Sequence, residues 1–104
     1  MLKKYITILL ISVTSQQLSG QVLALENIRL KKIENNVWDF RVSDKRAYRL
    51  VRELTAECDS FTMIPTESLG DNALLGYLFN FKNHTVVYVL LKSKGVRGSL
   101  IKNT

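Results

Sequence analysis

Cysteine, histidine and proline each occur once, as Cys58, His84 and Pro65. A single cysteine excludes an intrachain disulfide, a cysteine-rich zinc cage and a CxxC redox pair. One histidine leaves a Ser/His/Asp triad or a zinc site little to draw on. With only five glycines and no internal period, the chain is neither collagen-like nor a repeat array. Disorder is excluded too, because 46% of the residues are hydrophobic and the formal charge is only +6. No apolar run reaches the roughly 20 residues of a bilayer-crossing helix. At 104 residues the chain holds one globular domain at most.

What is present begins with a leader. Lys3 and Lys4 precede the apolar run Ile6 to Val13, and a stretch of small and polar residues from Thr14 to Gln21 follows. A positive start, a short hydrophobic run and small residues at a cut site are the parts of a secretory signal peptide. The domain boundaries expected are therefore a signal peptide over 1–24 and one domain over 25–104. Cleavage fits after Gly20 or after Ala24, the latter with Val22 three residues back, and the sequence does not choose between them. The alternative is that residues 5–13 form a first buried strand of a cytosolic domain. Losing Lys3 and Lys4 with the leader leaves thirteen cations against nine acids, or +4, over 80 residues. That balance draws acidic partners without marking a nucleic-acid binder.

Past the leader, Leu25 to Ile33 alternates imperfectly and Glu34-Asn35-Asn36 reads as a turn. Val37 to Val42 alternates cleanly, placing Trp38, Phe40 and Val42 on one face of a half-buried strand. Ser43 or Asp44 then caps a helix in which Ala47, Leu50, Val51, Leu54 and Cys58 fall within about 100° of arc, the width of a core-facing stripe. Lys45, Arg49 and Arg52 gather on the opposite side. Phe61 to Ile64 reads as a short strand closed by Pro65, and Thr66 to Asn72 as a loop. Ala73 to Phe81 is apolar on both faces, as a strand inside a sheet is, and Val96 to Ile101 reads as a final strand.

Val86 to Leu91 admits two readings. Its β-branched and aromatic residues favour a strand. Thr85 as a cap, Lys92 and Lys94 in a last turn, and Gly95 just beyond favour a helix.

A resemblance bears on that choice. The series Trp38-Asp39-Phe40-Arg41-Val42, Lys45-Arg46-Ala47 with Leu50 and Leu54, Ile64-Pro65, Leu69, Phe79-Asn80-Phe81-Lys82-Asn83, and Val89-Leu90-Leu91 with Lys94-Gly95-Val96 resembles the short N-terminal (STN) domain of secretins and TonB-dependent receptors. It is also similar to the C-terminal domain of FecR-type regulators. The match spans residues 37–101 and rests on hydrophobic spacing. The resemblance implies a helix over Val86 to Lys94. The fold class expected is therefore α+β, a small two-layer sandwich in β-α-β-β-α-β order. Three departures stand against it: the second helix would be about one turn short and lacks an acidic residue on its outer face. The chain also stops where such domains continue into a barrel or a secretin body.

The role the resemblance implies is docking: a periplasmic or secreted adaptor, not an enzyme, with no catalytic or metal-binding residues and no cofactor. Its partner would be an envelope-associated protein, with no nucleic acid involved. An edge strand or a helix face would meet that partner, and Lys45, Arg49 and Arg52 are the candidate partner-binding residues. The bland reading of that ridge is a solvated helix face. A periplasmic inhibitor or immunity protein would share the same physics.

An enzyme reading comes from residues 32–51, where Lys32, Trp38, Phe40, Arg41, Arg46, Tyr48 and Arg49 are locally similar to RelE-type ribonuclease toxins. It would put Arg41, Arg46 and Tyr48 on RNA. Export and the helical period over 46–51 oppose it. Asp39 and Glu57 are the two carboxylates that a catalytic cleft would draw on. Asn83-His84-Thr85 matches an N-glycosylation sequon, meaningful only in a eukaryotic secretory pathway. His84 reads as a surface turn residue, Cys58 as a small buried hydrophobe and Trp38 as core.

Overall fold

The computed structural model describes residues 22–103, so the expected leader lies outside the described residues apart from Val22 to Ala24. Six strands and one helix follow in the order β1 (Lys31–Glu34), β2 (Val37–Val42), α1 (Asp44–Glu57), β3 (Ser60–Ile64), β4 (Ala73–Asn80), β5 (His84–Leu91) and β6 (Val96–Lys102). Single 3-10 turns occupy Leu23–Leu25 and Thr66–Ser68. The strands form one sheet in the order β1-β2-β6-β5-β4-β3, and every neighbouring pair is antiparallel.

This corrects the expected β-α-β-β-α-β sandwich. The segment from Val86 onward is not a helix but most of β5, a central strand hydrogen-bonded to β4 on one side and β6 on the other. Two strands offering backbone partners outweigh one Thr cap and a terminal Gly, and β-branched residues suit the pleat. Gly95, read as the residue after a helix, instead turns the β5–β6 hairpin at φ +89° beside Lys94 at φ +81°. A Cβ at Gly95 would stand 2.9 Å from the Val42 carbonyl oxygen, so the turn needs glycine for both dihedral and space.

Most of the other expected elements stand. The alternation over Val37 to Val42 is β2, with Trp38, Phe40 and Val42 buried. The helix runs from Asp44 with Ser43 at its N-cap, although the Ser43 side chain makes no capping hydrogen bond. Instead the Asp44 carboxylate accepts from the Gly95 N–H at 3.4 Å and ties the helix start to the hairpin. Of the imperfectly alternating segment Leu25 to Ile33 only Lys31 onward is strand, and β1 takes in Glu34, which was expected in the turn; Asn36 in that turn has φ +68°, a conformation asparagine tolerates.

The helix covers one face of the sheet. Ala47, Leu50 and Leu54 pack with Trp38, Phe40 and Val42 of β2, Val96 and Leu100 of β6, Val86 and Tyr88 of β5, and Phe79 of β4. The Tyr88 hydroxyl donates to the Ala47 carbonyl at 2.9 Å, so the one polar atom that tyrosine brings into the core is satisfied. Gly98 sits in β6 directly beneath the Phe40 ring, and its missing side chain is what lets Phe40 lie against the sheet. A strap from Val22 to Leu30 closes the flank of α1, and Val22 and Leu25 belong to the same core.

Among the described residues no α-helix covers the opposite face. Leu69, in the loop between β3 and β4, packs there on Ala73, Val87, Val89 and Leu91. Gly76 makes room for it, since a Cβ at that position would come within 2.7 Å of Leu69 Cδ1.

Candidate interaction surface

The sheet has two edges of opposite character. β1 is four residues long, contains Lys31, Lys32 and Glu34, and pairs with β2 through a register shift between Lys32 and Glu34. Short length, charge and irregular pairing are the devices that keep an edge from recruiting another strand. β3, at five residues, is one residue longer and lacks the charge and the irregular pairing. Its residues Ser60-Phe61-Thr62-Met63-Ile64 carry no charge and pair regularly with β4 along one side. Among the described residues nothing pairs with the other side.

Side chains add to the contrast. Alternation places Phe61 and Met63 on the helix-side face, outboard of α1, where they remain 50% and 61% exposed. Phe61 rests on an aromatic bed: its ring centroid lies 6.1 Å from Tyr77, edge-on, and 5.9 Å from Phe79. Tyr77 in turn lies 6.3 Å from Tyr88. The bed extends from the buried core to the sheet edge, so Phe61 is held by packing while half of it faces solvent.

On the uncovered face, cross-strand pairing sets Thr62, Leu78, Val87, Ser99 and Asp39 in one row, and Ile64, Gly76, Val89, Arg97 and Arg41 in the next. Ser99 Oγ donates to the Asp39 carboxylate at 3.0 Å. Arg41 and Arg97 are direct cross-strand neighbours. A shallow cleft of about 300 Å³ lies between this face and the loop, lined by Ser68, Leu69, Val89, Arg97 and Ser99 among others.

The ridge expected from the sequence is where the helix period put it. Lys45, Arg49 and Arg52 are exposed on α1, but two of them are engaged locally. Arg49 Nε donates to Glu53 Oε2 at 3.1 Å, and the Arg52 guanidinium stands 5.5 Å from the centre of the Tyr48 ring. Exposed pairs of this kind hold side chains in place more than they stabilise the fold.

The residues proposed for chemistry are not brought together. Arg41 projects from the uncovered face, Arg46 lines a cleft beside the strap, and Tyr48 lies on the flank of α1 with Arg52. Residues 46–51, which a RelE-type core would need as a strand, are helix. Asp39 and Glu57 are likewise on opposite faces, each occupied by its own hydrogen bonds. Among the described residues no group of three His, Cys, Asp or Glu side chains could hold a metal ion.

No family model, curated protein or solved structure matches this chain.

The comparisons thus neither support nor refute a relation to the STN or FecR-type domains, although the two-helix order that the resemblance implied is not the order found.

Two further residues differ in part from expectation. Cys58 ends α1, its N–H donating to the Leu54 carbonyl at 2.9 Å, and its side chain is half-buried against the core. Burial pushes the thiol above its ordinary range, which disfavours the reactive thiolate. His84 was expected at a surface turn, yet it opens β5 and is 2% exposed. The signal that misled is local: Lys82 and Asn83 do turn the chain, but the strand begins one residue later, with the imidazole on the helix side of the sheet.

Burial, and then the nearby Lys102 charge, lower the His84 pKa below 6.5. The unfolded chain therefore takes up a proton near pH 6.5 that the folded chain resists. Above that pH the group contributes nothing to the balance, and as pH falls through 6.5 towards the lower folded value, stability is lost. The urea midpoint is expected to drop between about pH 7 and about pH 5, and His84→Gln to flatten that drop. Equal pH slopes for both proteins would refute the assignment.

Proposed function

We propose that this chain is an exported protein-interaction module that docks a partner protein along the outer edge of β3. The observation that carries the reading is the asymmetry of the sheet: one edge is guarded by lysines and a register shift, while the other offers an uncharged strand beside an exposed Phe61 and Met63. An added strand would satisfy the free amides and carbonyls of β3, and its side chains would cover the two apolar groups. The ridge of Lys45, Arg49 and Arg52 would steer an acidic partner towards the module and raise the association rate more than the affinity. The role matches the envelope adaptor that the sequence resemblance implies, and an inhibitor or immunity protein would use the same edge against a soluble enzyme.

The test is site-specific photocrosslinking in the envelope of a producing bacterium, with the reactive residue at Thr62 on β3 or at Lys32 on β1. Expected is a single heterologous protein joined at position 62 and none at position 32. A receptor or secretion component in that adduct supports the adaptor, and a soluble hydrolase supports the inhibitor. Equal labelling at both edges, or adducts with a second copy only, would overturn the proposal. Reversing Lys45, Arg49 and Arg52 to Glu should reduce adduct yield at low salt and abolish its salt dependence.

A further inference from the structure

The strap that begins at Val22 is part of the folded body. Val22 and Leu25 are both 0% exposed and pack into the main core with Trp38, Leu50 and Leu54. The residues between them are fastened by the end of α1: Leu23 N–H donates to Glu57 Oε2 at 2.7 Å, and Ala24 N–H to Glu57 Oε1 at 2.9 Å. One carboxylate thus receives two consecutive amides at the start of a 3-10 turn, a charge-assisted pair of bonds stronger than neutral ones. The turn itself is closed by Leu25 N–H to the Val22 carbonyl and Glu26 N–H to the Leu23 carbonyl, both at 3.0 Å.

The sequence allows two cut sites, and their products differ sharply. A cut after Ala24 removes Val22 from the core, takes away both amides that satisfy Glu57 and deletes the carbonyls that close the turn. It also places a charged terminus on Leu25, a fully buried residue, where desolvation opposes it. A cut after Gly20 keeps all of these and leaves a single residue, Gln21, ahead of the strap. It also preserves the cleft of about 470 Å³ that the strap forms against α1, lined by Leu23, Asn27, Arg46, Arg49, Glu53 and Glu57 among others.

We infer that the leader is hydrolysed at the peptide bond between Gly20 and Gln21, so that the mature chain begins at Gln21 with its strap intact. The inference rests on the export reading, and the experiment separates the two. The full chain, bearing a C-terminal tag, is produced in a bacterium, and its intact mass and N-terminal sequence are determined in the wild type and in Gly20→Leu and Ala24→Leu. Expected are a wild-type chain starting at Gln21, accumulation of the uncut form in Gly20→Leu, and unchanged processing in Ala24→Leu. A wild-type chain starting at Leu25 or at any other internal residue overturns the cut site while leaving export standing. A wild-type chain that keeps Met1 overturns export and the cut together. Normal processing of Gly20→Leu would also count against the assignment.

Discussion

Gly98→Val is expected to lower stability by about 3 kcal/mol or more, enough to unfold much of the population of so small a domain. In the helix-facing row of the sheet, Gly98 lies between Phe40 of β2 and Tyr88 of β5. A Cβ there would overlap the Phe40 ring at Cζ, Cε1 and Cε2 together, so no small rotation of the ring clears it. Nor can the ring swing away, because Phe40 is buried with α1 packed over the same core. Tight interiors relax poorly, and overpacking is repaid in strained rotamers and shifted strands. Urea denaturation measures the effect. Gly70 is the control: unlike Gly98 it has a positive φ, +96°, and nothing lies within 4 Å of its missing Cβ, so Gly70→Ala should cost about 1 kcal/mol for backbone strain alone. The double variant Phe40→Ala with Gly98→Val should be less unstable than the sum of its parts. Strict additivity would show that the ring is not the obstacle.

Phe79→Ala should cost about 3 to 5 kcal/mol. Phe79 is 1% exposed and is the hinge of the aromatic bed, with ring centroids 5.8 Å from Tyr77, 5.9 Å from Phe61 and 6.4 Å from Tyr88, the last edge-on. Removing it leaves a cavity between β4 and the helix side of the core, and takes the support from beneath Phe61. Two readouts should therefore move together: the urea midpoint, and the crosslinking yield at Thr62 under conditions where the variant is still folded. Phe79→Leu, which refills most of the volume, should cost well under half as much and retain crosslinking. A fully stable Phe79→Ala protein would contradict the packing described, and unchanged crosslinking in a destabilised one would show that Phe61 takes no part in docking.

The legibility of this fold varied with how much of each element's fate was local. Trp38, Phe40 and Val42 alternate because one side of β2 meets a helix and the other does not, and that difference is written in the sequence at period two. Ala47, Leu50 and Leu54 mark α1 for the same reason at period 3.6. Val86 to Leu91 carries no period, since β5 is covered on one face by α1 and on the other by Leu69 and its loop. A segment apolar on both sides reads equally as buried strand or buried helix. The borrowed pattern of a second helix filled that silence and was overturned by the two neighbouring strands. His84 shows the same limit at a single residue, because its burial comes from the strands and helix that enclose it.

The candidate site was less visible still. The period of α1 puts Lys45, Arg49 and Arg52 on one helix face, a local property, and the sequence reads Phe61 to Ile64 as a strand closed by Pro65. That this strand forms an edge, and that its apolar residues stay half uncovered, depends on β6 closing against β2 rather than against β3. The amino-acid sequence alone determined the helix and the stripes of the alternating strands. Only the tertiary structure decided which strands lie outside, that Glu57 fastens the strap, and that Arg41, Arg46 and Tyr48 face apart. Strand order and side-chain convergence are set by contacts between residues distant in the chain, such as Val37 with Ile101 and Ala24 with Glu57, and no local period records them.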